Sequence, residues 1–106
     1  MEVFDACMLL DFYGQLLTDR MRLLLELHFA EDMSLAEIAE QENISRQAVH
    51  DTITRGRRTL EEYEAKLGLI QRFMNQKSVI QTAVEALEKN DMKRAHVMLS
   101  ELMDTL

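Results

Sequence analysis

The sequence has no proline and only one cysteine and three glycines in 106 residues. Proline breaks helices because it lacks a backbone N–H donor, so its absence favours helices throughout the chain. The single cysteine, Cys7, excludes an internal disulfide and a multi-cysteine metal site, and such cysteine use is typical of a reducing compartment. We therefore expect a helical, cytoplasmic protein.

Long apolar runs and catalytic motifs are also missing. No run approaches the roughly 18 apolar residues of a membrane span, so we expect no membrane segment. The chain has no Gly-rich phosphate loop, no nucleophile elbow and no paired-histidine spacing, and His28, His50 and His96 lie far apart. We expect no catalytic residue, metal site, cofactor or small-molecule substrate. The protein is accordingly predicted not to be an enzyme.

Basic residues are scarce at the start of the chain. The net charge is −7, and residues 1–44 carry two arginines against ten acidic residues. Residues 45–72 carry six basic against four acidic residues, and residues 73–106 carry four against five. Because an acidic surface repels phosphate, any contact with nucleic acid must be confined to the middle of the chain.

Apolar residues recur at helical spacings of three and four along most of the chain. Polar residues that commonly cap helices divide this pattern, and Glu37 completes an S-x-x-E capping box with Ser34. The other predicted caps are Thr18, Ser45 and Asp91. The pattern predicts an all-α protein of successive helices.

The helix after Thr18 is apolar on more than one side up to Phe29, so we expect it to be deeply buried. Gly68 is the only candidate boundary. The sequence predicts a helix-turn-helix domain over residues 1–67 and a C-terminal helical extension, a hairpin or an arm, over residues 68–106. The apolar stripes of this extension predict packing on the core or self-association, and we expect a homodimer.

The segment from Ser34 to Leu60 contains the helix-turn-helix pattern. Two helices joined by a few residues must cross steeply, and Asn43 occupies the turn position where glycine is usual. Asparagine is among the few other residues that tolerate a left-handed backbone. Ile44 and Val49 are expected to fill the space between the two helices.

The second helix of this motif, which starts after Ser45, is the predicted contact with nucleic acid. If Val49 and Ile53 face inward, we expect five side chains to point outward and two arginines to flank them. Arginine can pair with guanine or phosphate, and glutamine with adenine. The predicted nucleic-acid-binding residues are Arg46, Gln47, His50, Thr54 and Arg57 facing outward, with Arg55 and Arg58 at the flanks.

Three stretches of the chain carry a resemblance to a known family. They are Asp11-Phe12-Tyr13-Gly14 with Leu16-Leu17-Thr18, Ser34-Leu35-Ala36-Glu37-Ile38-Ala39-Glu40, and Ser45-Arg46-Gln47-Ala48-Val49. Together they resemble the YlxM-type family of bacterial proteins over roughly residues 5–70. The first stretch is the most specific, because helix-turn-helix proteins in general share the other two. The arrangement also resembles region 4 of sigma factors, and no resemblance is apparent in the last thirty-odd residues.

The resemblance implies a cytosolic protein associated with the signal recognition particle, which binds the RNA or a protein component of that particle. The sequence departs from the family at His50, where the family tends to carry tyrosine, and at Asn43, where it carries glycine.

Three functions remain open. The first is an adaptor in protein targeting that contacts RNA or DNA through the helix after Ser45. The second is a pure protein-interaction module, in which a homodimer binds a targeting GTPase and no nucleic acid. The third is a DNA-binding transcriptional regulator. The net acidity favours the second function, whereas the placement of the arginines favours the first.

Overall fold

The computed structural model describes residues 4–106, so residues 1–3 of the predicted first domain lie outside it. The described residues form six α-helices and no β-strand, which confirms the all-α fold. A 3₁₀ turn (Gly14–Leu16) follows the first helix, and a π-helical turn (Glu26–Ala30) follows the second. The helices are α1 (Ala6–Tyr13), α2 (Asp19–Leu25), α3 (Leu35–Glu42), α4 (Arg46–Leu67), α5 (Leu69–Glu88) and α6 (Met92–Thr105).

The predicted helix caps are confirmed. Thr18 Oγ1 accepts the N–H of the third residue after it at 3.2 Å, Ser45 Oγ does the same at 3.0 Å and Asp91 Oδ1 at 3.1 Å. The capping box is reciprocal, with the Glu37 N–H donating to Ser34 Oγ and the Ser34 N–H donating to Glu37 Oε1, both at 3.1 Å. The Ser34 N–H bond lowers the pKa of the Glu37 carboxyl.

The turn of the helix-turn-helix has the predicted backbone. Asn43 ends α3 in the left-handed region, at φ 56° and ψ 47°. The Ile44 N–H donates at 3.0 Å to the Ala39 carbonyl, which also accepts the Asn43 N–H, so two consecutive N–H groups bond back to the end of α3. Val49 is fully buried and Ile44 is half-buried against the core, so both side chains lie where the sequence places them.

One side of α4 forms the centre of the core. Its buried residues Val49, Ile53, Gly56 and Leu60 recur at helical spacing. Gly56 is the point of closest approach to α2, because a Cβ atom built there would lie 2.5 Å from Leu25 Cδ1. These residues pack with apolar side chains of α1, α2, α3 and the start of α5, namely Leu9, Tyr13, Leu24, Leu25, Ile38, Ala39 and Ile70.

The segment after α2 is less buried than its apolar pattern predicts. Leu24 and Leu25, at the end of α2, are fully buried, but Leu27 and Phe29 in the turn that follows are only half-buried. The π-helical turn explains the difference, because its wider hydrogen bonding changes the rotation between successive side chains. The expectation of a deeply buried helix up to Phe29 is therefore wrong for its last turn.

A buried polar network joins α1, α4 and α5. The Tyr13 hydroxyl donates to Glu64 Oε1 and accepts the Leu69 N–H at 3.1 Å. The same carboxylate oxygen accepts the Ile70 N–H at 2.9 Å. Both acceptors satisfy backbone donors in the first turn of α5, which have no partner within the helix. Gly68, at φ 62°, ends α4 in the left-handed conformation that brings α5 to this network.

The contacts divide the chain into two compact units, the first ending at Ile70 and the second comprising Gln71–Leu106. In the second unit, the chain reverses at Asn90, which has φ 62°. An Arg72 guanidinium N–H donates to the Thr105 carbonyl at 3.1 Å, which joins the last turn of α6 to the first part of α5. The two helices of this unit therefore form an antiparallel hairpin.

The packing at Gly56 generates the first prediction. Alanine is favoured over glycine in a helix by about 1 kcal/mol, but inserting atoms into a filled core costs about 1–3 kcal/mol. Leu25 is fully buried and has no solvent to move into. We expect Gly56→Ala to lower the free energy of unfolding in urea by about 1 kcal/mol. In a Leu25→Ala background, which removes the obstructing methyl groups, we expect the same substitution to stabilise the protein. Stabilisation in both backgrounds would contradict this packing.

The Tyr13 network generates the second prediction. Tyr13→Phe keeps the buried ring but removes one hydrogen-bond partner from Glu64 and one from the Leu69 N–H. We expect the free energy of unfolding at pH 7 to fall by about 1–3 kcal/mol, measured with urea.

The pH dependence of this loss is a separate check. Burial, followed by the hydrogen bond to Glu64, raises the pKa of the Tyr13 phenol above its ordinary value of 10.0. A group with a raised folded-state pKa contributes stability that is complete below the unfolded pKa and is lost as the pH rises through the folded pKa. The difference between the native chain and Tyr13→Phe should be constant from pH 7 to 9 and shrink above about pH 10. A difference that widens there would refute this assignment.

Candidate nucleic-acid interface

The N-terminal half of α4 follows the turn of the helix-turn-helix and has one side open to solvent. Its first turn begins at the Ser45 cap, and the backbone N–H groups there give the helix end a partial positive charge. Since Val49 and Ile53 are held in the core, the opposite side of the helix must face solvent. Helix N-termini of this kind attract phosphate groups.

Three arginines of α4 are exposed to solvent, namely Arg46, Arg55 and Arg58. Within residues 4–106, no side-chain hydrogen bond or ion pair engages any of their guanidinium groups. Arg55 and Arg58 lie about 60° apart around the helix axis, and Arg46 lies in the first turn at a different angle; together we call these three residues the arginine face. A guanidinium without an internal partner can bind phosphate or the edge of guanine without first breaking a contact in the protein.

Arg57 lies differently from the prediction, because it packs against the core instead of pointing outward. Its Nε donates to Glu61 at 3.0 Å, and an Nη2 N–H donates to the Phe4 carbonyl at 3.3 Å. Its guanidinium carbon lies 5.6 Å from the centre of the Phe29 ring. Arg57 thus holds neighbouring elements together with 32% of its side chain exposed, whereas Arg55 and Arg58, predicted at the flanks, are exposed.

Gln47, His50 and Thr54 are exposed, as the helical spacing predicts. Two of them surround a carboxylate: Gln47 Nε2 donates to Asp51 Oδ1 at 2.9 Å, and His50 Nδ1 lies 3.4 Å from the same oxygen. Asp51 is itself exposed and would repel phosphate. α4 therefore carries three exposed arginines and, between Arg46 and Arg55 in the sequence, one exposed carboxylate that holds two polar side chains.

Outside α4, residues 4–106 offer no activated thiol and no group of metal ligands. Burial, followed by the negative charge of Asp5, raises the pKa of the Cys7 thiol, so the thiol is not activated as a nucleophile. In the described part of the chain, no three histidine, cysteine or carboxylate side chains are grouped so as to hold a metal ion. No helix between residues 4 and 106 is both long and apolar enough to cross a membrane.

Sequence reasoning missed two polar contacts that position this surface. Arg20 pairs with Glu42 at 2.9 Å, which links α2 to the end of α3. The buried network of Tyr13 and Glu64 is the other. The position of Glu64 is a signal that could have revealed it, because Glu64 follows Leu60 by four residues on the buried stripe of α4. A carboxylate at a core position requires hydrogen-bond partners.

The sequence of this chain matches a known protein family. The chain matches the model of the UPF0122 family, described as "Putative helix-turn-helix protein, YlxM / p13 like", over residues 2–100. The similarity thus extends well beyond residue 70, to which the sequence motifs alone reach, and includes most of the second unit. The family model therefore covers most of the last thirty-odd residues, where the motifs alone indicate no resemblance.

Individual relatives agree with the family model. A UPF0122 protein of Acetivibrio thermocellus is 54% identical over 77 residues, which cover 73% of this chain and 66% of the relative. A UPF0122 protein of Halalkalibacterium halodurans is 43% identical over 98 residues, covering 92% of this chain and 90% of the relative. One of Symbiobacterium thermophilum is 41% identical over 101 residues, covering 95% and 94%.

The contrast between neighbouring arginines generates the third prediction. We expect Arg57→Ala to lower the free energy of unfolding by about 1 kcal/mol, because it removes the bond to the Phe4 carbonyl and the contact with the Phe29 ring. Arg58→Ala is the matched control, and we expect it to change stability by less than about 0.5 kcal/mol. Thermal unfolding of both variants tests this. Equal losses would mean that Arg57 has no special structural role.

Proposed function

The chain belongs to the UPF0122 family of YlxM-like helix-turn-helix proteins, and from this membership we propose that it is a non-enzymatic adaptor that contacts nucleic acid through the exposed arginines of α4. One observation carries the proposal: Arg46, Arg55 and Arg58 are exposed on the helix after the turn, with no ion pair to any residue of 4–106. The resemblance to YlxM-type proteins supports the signal recognition particle pathway as the place where this adaptor acts, and its RNA as the ligand.

The chemistry of the arginine face favours contacts with the phosphate backbone of a nucleic acid over contacts with its bases. Guanidinium groups bind phosphate through paired, charge-assisted hydrogen bonds, and such contacts position a protein on nucleic acid without reading its sequence. Gln47 and Thr54 lie beside the arginines and could reach base edges. Asp51 holds Gln47 in the free protein, so binding to a base must exchange that hydrogen bond for one to the ligand.

A second candidate function rests on the acidic surface of the first unit. Exposed carboxylates are present in α2, α3 and the segment between them, including Asp19, Glu31, Glu37 and Glu40. Such a surface complements a basic protein and would repel RNA. This observation favours a protein-interaction module that binds a basic partner such as a targeting GTPase, with the helix-turn-helix serving only as a scaffold.

The fourth prediction separates these functions by fluorescence anisotropy. We expect labelled signal-recognition-particle RNA to bind the native chain with an affinity that falls steeply with salt. The variant with Arg46→Ala, Arg55→Ala and Arg58→Ala should lose at least tenfold in affinity. In a plot of log affinity against log salt concentration, the slope for this variant should be shallower by about one for each phosphate contact removed.

The matched control removes three exposed positive charges from the second unit, through Lys77→Ala, Lys89→Ala and Lys93→Ala. It has the same net charge as the arginine variant, so a general charge effect would weaken both equally. Equal weakening, or no binding by the native chain at low salt, would overturn the nucleic-acid proposal and favour the protein-interaction module. Tighter binding to a random DNA duplex than to the RNA would instead favour a DNA-binding regulator.

A further inference from the structure

The second unit, Gln71–Leu106, buries small side chains and exposes large ones. Ala83, Ala86 and Ala95 are at most 5% exposed. Large apolar side chains of this unit are instead exposed, and six of them, which are 42–75% exposed, recur at helical spacing along α5 and along α6 with the residue that follows it. They are Ile80, Val84, Leu87, Leu99, Met103 and Leu106, and we call them the hairpin face.

The six residues form one continuous stripe on each helix. On α5, Val84 follows Ile80 by four residues and Leu87 follows by three more. Leu99 and Met103 of α6, with Leu106 just after its end, repeat this spacing. Residues spaced by four and three lie on the same side of a helix. This is also the spacing by which helices pack side by side in bundles and coiled coils.

The two stripes lie on the same side of the hairpin. Successive residues of a helix are turned by about 100° around its axis. On both helices this turn places the exposed stripe about 100° or less from the buried alanines, in the same direction of rotation around the axis. The bond from Arg72 to the Thr105 carbonyl shows that the helices run antiparallel. When the buried sides of two antiparallel helices face each other, stripes that are rotated from those sides in the same direction lie on the same side of the pair. The stripes therefore merge into a single two-helix apolar surface.

We propose that the hairpin face is the docking surface for a second copy of this chain, whose own hairpin face closes the pair into a four-helix bundle. The charges favour this occupant. Residues 71–106 carry five basic and five acidic residues, so the whole net charge of −7 lies in residues 1–70. A neutral apolar surface offers no complement to a charged partner, whereas two copies of it pair without repulsion.

The size of the face also fits a dimer. Six side chains about half exposed present on the order of 600 Å² of apolar surface. A standard interface buries about 800 Å² per partner, and homodimer interfaces are about 65% apolar, so about 500 Å² of apolar surface is needed. The hairpin face meets this requirement. A two-helix surface is also self-complementary under twofold symmetry, which is the commonest arrangement of soluble homo-oligomers.

The fifth prediction tests the dimer with the full chain, by light scattering coupled to gel filtration at several concentrations from 5 to 500 µM. We expect the native chain to have twice the mass of one chain, and its melting temperature to rise with concentration. Leu99→Lys on α6 and Val84→Lys on α5 should each weaken association at least 100-fold. Circular dichroism should show unchanged helix content, because both positions are already exposed.

The matched control is Val97→Lys. Val97 lies two residues from Leu99 on α6 and is 53% exposed, but it points to the opposite side of the helix. We expect this variant to remain a dimer. A native chain that is monomeric at 500 µM would overturn the proposal and leave the hairpin face for a different protein. Equal dissociation of Val97→Lys and Leu99→Lys would also overturn it. Neither result depends on nucleic-acid binding, so the adaptor function stands or falls separately.

Discussion

The close approach of α2 and α4 at Gly56 is the contact on which the orientation of the arginine face depends. Glycine in a helix interior costs about 1 kcal/mol relative to alanine, yet Gly56 lies in the middle of a 22-residue helix. Its hydrogen lies where a Cβ atom would meet Leu25. This contact and the neighbouring buried residues fix the rotation of α4 about its axis. The same rotation turns Arg55 and Arg58 to solvent and Arg57 toward the core.

A second constraint acts at the C-terminal end of α4. There the Tyr13 hydroxyl and the Glu64 carboxylate accept hydrogen bonds from backbone N–H groups in the first turn of α5. A buried carboxylate is costly without partners, so all members of the network depend on one another. Tyr13 belongs to the Asp-Phe-Tyr-Gly stretch by which the chain resembles its family. The structure gives that resemblance a physical meaning, since the tyrosine connects the first helix to the junction between α4 and α5.

The charges of the molecule are divided by location. The acidic residues of α2 and α3 are mostly exposed, so the arginine face is the basic part of an otherwise negative unit. For the proposed nucleic-acid contact, long-range repulsion from that unit would oppose phosphate, while short-range contacts by the arginines would favour it. Screening by salt weakens both effects, which is why a salt series with charge-matched variants is more informative than one affinity. The neutral second unit takes no part in this balance.

The sequence by itself determined the all-α class, the helix caps and the left-handed turn at Asn43, because capping and turn formation are local and need only a few neighbouring residues. The sequence also determined the family, because the three stretches that resemble YlxM-type proteins are continuous runs of residues. Only the tertiary structure decided which arginines are exposed, that Tyr13 is the partner of Glu64, and that the segment around Phe29 is a π-helical turn. Those outcomes depend on side chains distant in sequence competing for the same space, and helical periodicity does not contain that information.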